Sequence, residues 1–270
     1  MQVATINLNL PGEAMATDDT TIKNRPPFPN VRTVSMERPF HWLKMAWADF
    51  KSCPAASLFY GLCFIAGGGL MILSLRNAPE YIAAVTAGFL LVGPFLAMGL
   101  YEISHRREQG LPCDFITTLT PWKRNASNLG IFAVILLVIF LVWARASLVI
   151  FALFYSGQLP TMATFLKYAV STDHLDFLAA YFAVGGVFAL IAFAISVVSI
   201  PLMLDRGHDA ITAAIVSVRA LLTNIPAMFV WTALIALLGG LGLVTFLVGI
   251  LITGPILGHA TWHAYRDLVE

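Results

Sequence analysis

AMFVWTALIALLGGLGLVTFLVGILITGPILGHATWHAY, residues 227–265, contains no Asp, Glu, Lys or Arg. A helix needs about 20 apolar residues to cross a bilayer, so this run is long enough for two crossings. Near its middle stands GGLG, Gly239–Gly242. Adjacent glycines weaken a helix and supply a turn. The run therefore divides into two short spans, about 227–240 and 243–265. The competing reading is one long kinked helix.

The rest of the chain follows the same rule. It is 270 residues long, 59% hydrophobic and 11% charged, with a mean hydropathy of +0.81. Ordinary soluble domains carry about 25% charged residues. Four further apolar runs fall at about 55–75, 81–103, 128–154 and 177–204. This gives six spans, or five on the competing reading. No alternating ten-residue pattern suggests a β-barrel. The net charge of +1 offers nothing to nucleic acid. Residues 1–36 are polar, include NRPPFPN, lack the apolar core of a signal peptide, and read as a flexible cytoplasmic tail. Residues 37–270 form a single polytopic membrane domain.

Orientation follows from Lys and Arg, which gather on the cytoplasmic side. Of the 16 Lys and Arg, all but Arg76, Lys167 and the intramembrane Arg145 fall on the side of the N-terminus. Both termini are then cytoplasmic, and the membrane is a bacterial inner membrane. Cys53, Cys63 and Cys113 are scattered and form no CxxC, which points to reduced thiols or packing residues.

Each outward span is preceded by a segment of mixed character. PFHWLKMAWADFKSCP carries Phe40, Leu43, Trp47 and Phe50 on one helical face. PCDFITTLTPWKRN precedes the third span. HDAITAAIVSVRALLTNIP, with a stripe of Ile211, Ile215, Val218 and Leu222, precedes the fifth. All three suit the cytoplasmic interface. The inward spans end alike, in VGPFLAMGLYEISHR, VSIPLMLDRGHD and TGPILGHATWHAYRD. The expected fold is an all-α integral membrane protein. It has six transmembrane helices in three repeated hairpins, each preceded by a cytoplasmic interfacial helix, in a pseudo-threefold bundle.

Aligning Pro94, Pro201 and Pro255 places Met98, Asp205 and His259 four residues on, and Glu102, Asp209 and His263 eight residues on. The two positions share a helical face, so six metal-ligand-type side chains would converge at the inner mouth. A metal ion or a proton is the ligand this implies. The plainer reading is that helix ends carry polar residues because water begins there, and that DRGHD breaks the helix before Asp209. Arg145, in LVWARASLVIF, either snorkels to the outer interface or is a buried functional charge. In the outer loop, His174 with Asp173 and Asp176 reads as loop solvation rather than a ligand cluster. The glycines of GLCFIAGGGL and FAVGGVF read as close helix packing.

WLKMAWADFKSCPAASLFYG, GFLLVGPFLAMGLYEISHRREQG, SIPLMLDRGHDAITAAIVSVRALLTNIPAM and GHATWHAYRDL together resemble an uncharacterised bacterial integral membrane family, domain of unknown function 2189. Some of its members are labelled cytochrome c oxidase subunits. The resemblance implies an inner-membrane protein with a link to respiratory complexes, and no catalytic residues. Haem–copper catalysis needs histidines deep in the membrane, and all 6 histidines lie near its surfaces. No catalytic motif points to an enzyme. The leading functional expectation is an accessory or assembly partner of another inner-membrane complex, held in the lipid bilayer. The alternative is a small transporter or metal-handling protein using the inner-mouth cluster.

Overall fold

The structure, a computed structural model, describes residues 28–77, 96–154, 175–245 and 247–270. The described part is helical. Helix α1, Arg38–Ser52, carries Pro39 in its first turn and ends where Cys53 leaves the helical region. Pro54 then opens α2, Pro54–Asn77; a residue before proline is driven out of the helical region. Helix α3 is described from 96 to 108 and closes on Gly110 at φ +68°. The amide of Leu111 there caps the carbonyl of Arg106. Short helix α4, Phe115–Thr118, and a 3₁₀ turn, Pro121–Arg124, lead into α5, Ala126–Phe154.

Helix α6, Leu175–Ser196, stops two residues short of α7, Ser199–Arg206. The proline ring of Pro201 conflicts with a helical carbonyl at Val197, four residues back. The groups freed by this break find Ser217 of the next helix. Its hydroxyl donates to Ala194 O (2.7 Å) and accepts from Val198 N (3.4 Å). Gly207, at φ +69°, ends α7. Helix α8, Ala210–Thr223, follows, then α9, Ile225–Val244, and α10, Ile250–Leu268.

Four helices among the described residues are long and apolar enough to cross a membrane: Pro54–Ser74, Ala126–Phe154, Leu175–Arg206 and Ile225–Val244. The expected span 81–103 lies largely outside the described residues. Helix α10 is not one of the four, because its second half carries His259, His263, Arg266 and Asp267. The expected break at Gly239–Gly242 is corrected. These glycines stay inside α9, which ends at Val244, and the turn to α10 includes Leu247 at φ +71°. Glycine tolerates a helix held on both sides by apolar residues, so the pair alone does not end it.

The buried core lies at one end, where Trp42 meets Trp231 edge to face at 5.7 Å and Trp262, Tyr265, Leu202 and Met203 are enclosed. Away from it the spans expose their apolar residues; only 22% of the most apolar window of α2 is buried. Lipid as solvent accounts for this inversion. Helix α10 packs on α1 and α2, and α6 on α5 and α8. Pro255 sits inside α10 and cannot donate to Leu251 O, four residues earlier. That carbonyl points at Gly61 of α2, where a side chain would stand 2.3 Å from it. The missing hydrogen bond and the missing side chain together allow the two helices to touch. The described ends of the chain also meet, with Arg32 N donating to Leu268 O (2.8 Å) and Glu270 N to Asn30 O (2.9 Å).

Candidate functional site

The faces of α1, α2, α3 and α10 that meet at the core end carry polar side chains. His259 and His263 lie one turn apart on α10 and share a face, as their spacing requires. His259 is fully buried. Its Nε2 lies 3.0 Å from Ser57 Oγ on α2, and its Nδ1 lies 2.8 Å from Ser104 Oγ on α3. His263 Nε2 lies 2.6 Å from Asp49 Oδ2 on α1. The other oxygen of Asp49 accepts from Arg107, and Ser104 also hydrogen-bonds this carboxylate. The result is two hydrogen-bonded groups side by side, Ser57–His259–Ser104 and Asp49–His263, with Ser104 also favouring the ionised Asp49 carboxylate. Beyond them, His263 Nδ1 is 3.6 Å from Glu108, which pairs with Arg266 at 3.1 Å.

Burial pushes the Asp49 carboxyl upward in pKa, but hydrogen bonds from His263, Ser104 and Arg107 outweigh it. The group is held below its ordinary range. Asp267 behaves alike: burial opposes ionisation, while Arg38 and Trp42 bond the carboxylate (2.6–2.8 Å) and prevail.

The six expected inner-mouth residues are not gathered at one point. Met98 is buried in the apolar core. Glu102 is held by both arms of Arg124, at 2.8 and 2.9 Å. Asp205 accepts from Tyr265 Oη (2.5 Å) and Arg266 (3.4 Å). Asp209 falls beyond the Gly207 turn and caps α8 through Ile211 N and Thr212 N, so it never enters the bundle. Both nitrogens of His259 are already engaged, which leaves no lone pair for a cation. Among the described residues, no three His, Cys, Asp or Glu side chains are arranged to hold a metal. Glu102 and Asp205 do share a small cleft with Tyr101, His105, Arg124, Leu204 and Trp262. Arg145 lies exposed on α5, roughly 28 Å along from Ala126 by the helix rise. Of the outer-loop trio, Asp173 and His174 lie outside the described residues.

Sequence reasoning missed Asp49, Ser57, Ser104 and Arg107. One signal was present: Asp49 shares the face of Trp42 and Ala46, which the structure buries, so a carboxylate stood on a packing stripe. Ser57 and His259 form the nucleophile–base spacing that the sequence did not reveal, 202 residues apart. Both are fully buried. The cysteines also need correction: Cys53 and Cys113 form a disulfide, and Cys63 is free. The close of α1 and the approach to α4 bring them together across 60 residues of sequence, which no spacing rule detects.

Apolar helices turned outward around a polar, hydrogen-bonded end define an α-helical integral membrane protein. The comparisons agree. The family described as predicted integral membrane protein (DUF2189) matches residues 82–205, which takes in GFLLVGPFLAMGLYEISHRREQG and the start of the SIPLMLDRGHD stretch. No curated protein and no solved structure matches the chain.

Proposed function

We propose that the protein is a six-span inner-membrane bundle, built of three repeated hairpins with both termini cytoplasmic, that conducts protons through its buried histidines. The observation that carries this reading is the buried juxtaposition of two hydrogen-bonded groups, Ser57–His259–Ser104 and Asp49–His263, with Ser104 acting on the Asp49 carboxylate. Imidazole and hydroxyl groups both donate and accept, and the Asp49 carboxylate accepts, so passage of a proton along them takes tautomer exchange at the histidines and transient protonation of Asp49. Ionisable residues buried within a membrane protein are functional-site candidates by default, proton relays among them. The test is reconstitution into liposomes holding a pH-sensitive dye, with a potassium–valinomycin potential. Proton flux above empty liposomes, lowered at least about tenfold in His259→Ala and Asp49→Asn, supports the relay. Flux equal to empty liposomes in the wild type ends it.

A second reading, an accessory partner of another inner-membrane complex, is favoured by a separate observation. A side chain added at Gly186, Gly239 or Gly240 meets nothing within 4 Å. Gly186, expected to pack helices within the chain, and Gly239 and Gly240, expected to turn it, are open for a helix from another subunit. Gly240→Leu would then dissociate a complex that survives mild detergent, as read by its mass.

A further inference from the structure

The three segments that precede α2, α5 and α9 share a construction that the buried relay does not use. Their apolar stripes face away from the protein. On α1, Phe40 and Trp47 are exposed while Trp42 and Ala46 on the other side are buried. On α4 and the 3₁₀ turn, Ile116, Leu119 and Trp122 are exposed. On α8, Ile211, Ile215 and Leu222 are exposed, while Ala213, Val216 and Ala220 pack inward. An apolar stripe with Trp on the outside of a membrane bundle belongs at the headgroup level.

The charges on these stripes have one sign. Lys51 Nζ stands 5.4 Å from the Trp47 ring, and Lys123 Nζ 5.9 Å from the Trp122 ring. Lys44 on α1 and Arg219 on α8 are also exposed. The acids of the same segments are spent elsewhere. Asp49 is buried against His263 and Arg107, and Asp114 and Asp209 cap helices. A surface that sets cations against outward indole rings complements a phosphate beneath an acyl chain.

We propose that these three segments form a binding surface for anionic phospholipid headgroups, with the Trp47–Lys51 and Trp122–Lys123 pairs as its principal contacts. The aromatic ring sits at the acyl boundary and the ammonium reaches the phosphate. Each basic side chain near an anionic surface contributes a preference of about fivefold. The bundle is thereby seated at a fixed depth, and its relay end faces the more acidic leaflet.

The test uses the full chain reconstituted in vesicles of equal phosphatidylglycerol and phosphatidylcholine, then recovered in mild detergent, with retained lipid quantified by headgroup. The expected result is phosphatidylglycerol enriched at least about fivefold over phosphatidylcholine, with that enrichment falling about fivefold or more in Lys51→Gln/Lys123→Gln. These side chains are exposed, so the variant folds, which its melting temperature verifies. Retention at the mixing ratio in the wild type overturns the proposal. So does undiminished enrichment in the double variant, which would place the lipid elsewhere, at Arg145 or in the spans.

Discussion

His263 and Asp49 face each other at 2.6 Å, and through them the last helix closes on the first described one. The pair is almost wholly buried, with side-chain exposures of 8% and 2%. Removing one member leaves the other's charge or polar group without its partner, a change that costs about 3–5 kcal/mol for buried ion pairs. Asp49→Ala is expected to be the more damaging substitution, because it strands Arg107 and Ser104 as well as His263. His263→Ala should cost less, since Arg107 still neutralises Asp49. Melting temperatures in one detergent at pH 7 give the order; equal values for the two variants would contradict it.

Acid should open the same junction. Asp49 and Asp267 are both held below their ordinary carboxylate value of 3.8. A group whose folded pKa is depressed adds stability above its unfolded value and loses it as pH falls through the folded one. The α1–α10 contact should therefore hold its full strength from about pH 5 upward and weaken below about pH 4. Asp49→Asn and Asp267→Asn each remove part of that slope. A melting temperature in detergent that stays flat down to pH 3 would refute the assignment.

What the sequence made legible is whatever depends on neighbours in the chain. Apolar runs announce spans because the bilayer fixes their length. Pro201 marks a helix break, Gly207 a helix end, and Asp209 a cap. Stripes such as Ile211–Ile215–Leu222 announce an outward apolar face. What stayed hidden depends on which faces meet. The proline register put His259 and His263 on one face correctly, but it gave no partner for that face. The partners, Ser57 and Asp49, lie more than 200 residues away. The same register failed for Asp209 because a single left-handed glycine, Gly207, ends the helix first. The Gly239–Gly240 pair misled in the other direction. A glycine pair reads as a turn in water, while in an apolar run the helical hydrogen bonds have no competing solvent.

The disulfide bears on sidedness. Cys53 and Cys113 lie among the basic residues that the positive-inside rule assigns to the cytoplasm, where thiols are kept reduced. Unfolded without reductant, protein oxidised by air should react with maleimide at Cys63 alone, and after reductant at all 3 cysteines. Protein trapped directly in cells with a permeant maleimide should react at all three if this end is cytoplasmic. A single reactive cysteine in the trapped cells would turn the bundle over, with its relay end facing the oxidising side.

Glycines on the spans divide into two groups by what surrounds them, and the division can be tested. A side chain at Gly61 would stand 2.3 Å from the carbonyl of Leu251, and one at Gly99 would stand 2.1 Å from the Tyr60 ring. Neither neighbour can yield easily. Leu251 O is backbone, and the Tyr60 hydroxyl is tied to Thr118 by two hydrogen bonds. Gly61→Ala and Gly99→Ala should therefore force α2 away from α10 and α3, at a cost of about 1–3 kcal/mol each or more. Gly186→Ala and Gly239→Ala meet open space and should be neutral in the isolated protein. Pro255→Ala adds a discriminating case. It returns to Leu251 O the hydrogen bond that the proline withholds, so α10 should straighten and the contact with Gly61 should loosen even with the glycine intact. Melting temperatures of the five variants in one detergent decide the matter. If Gly61→Ala proves as harmless as Gly186→Ala, the approach of α2 to α10 is not the one described.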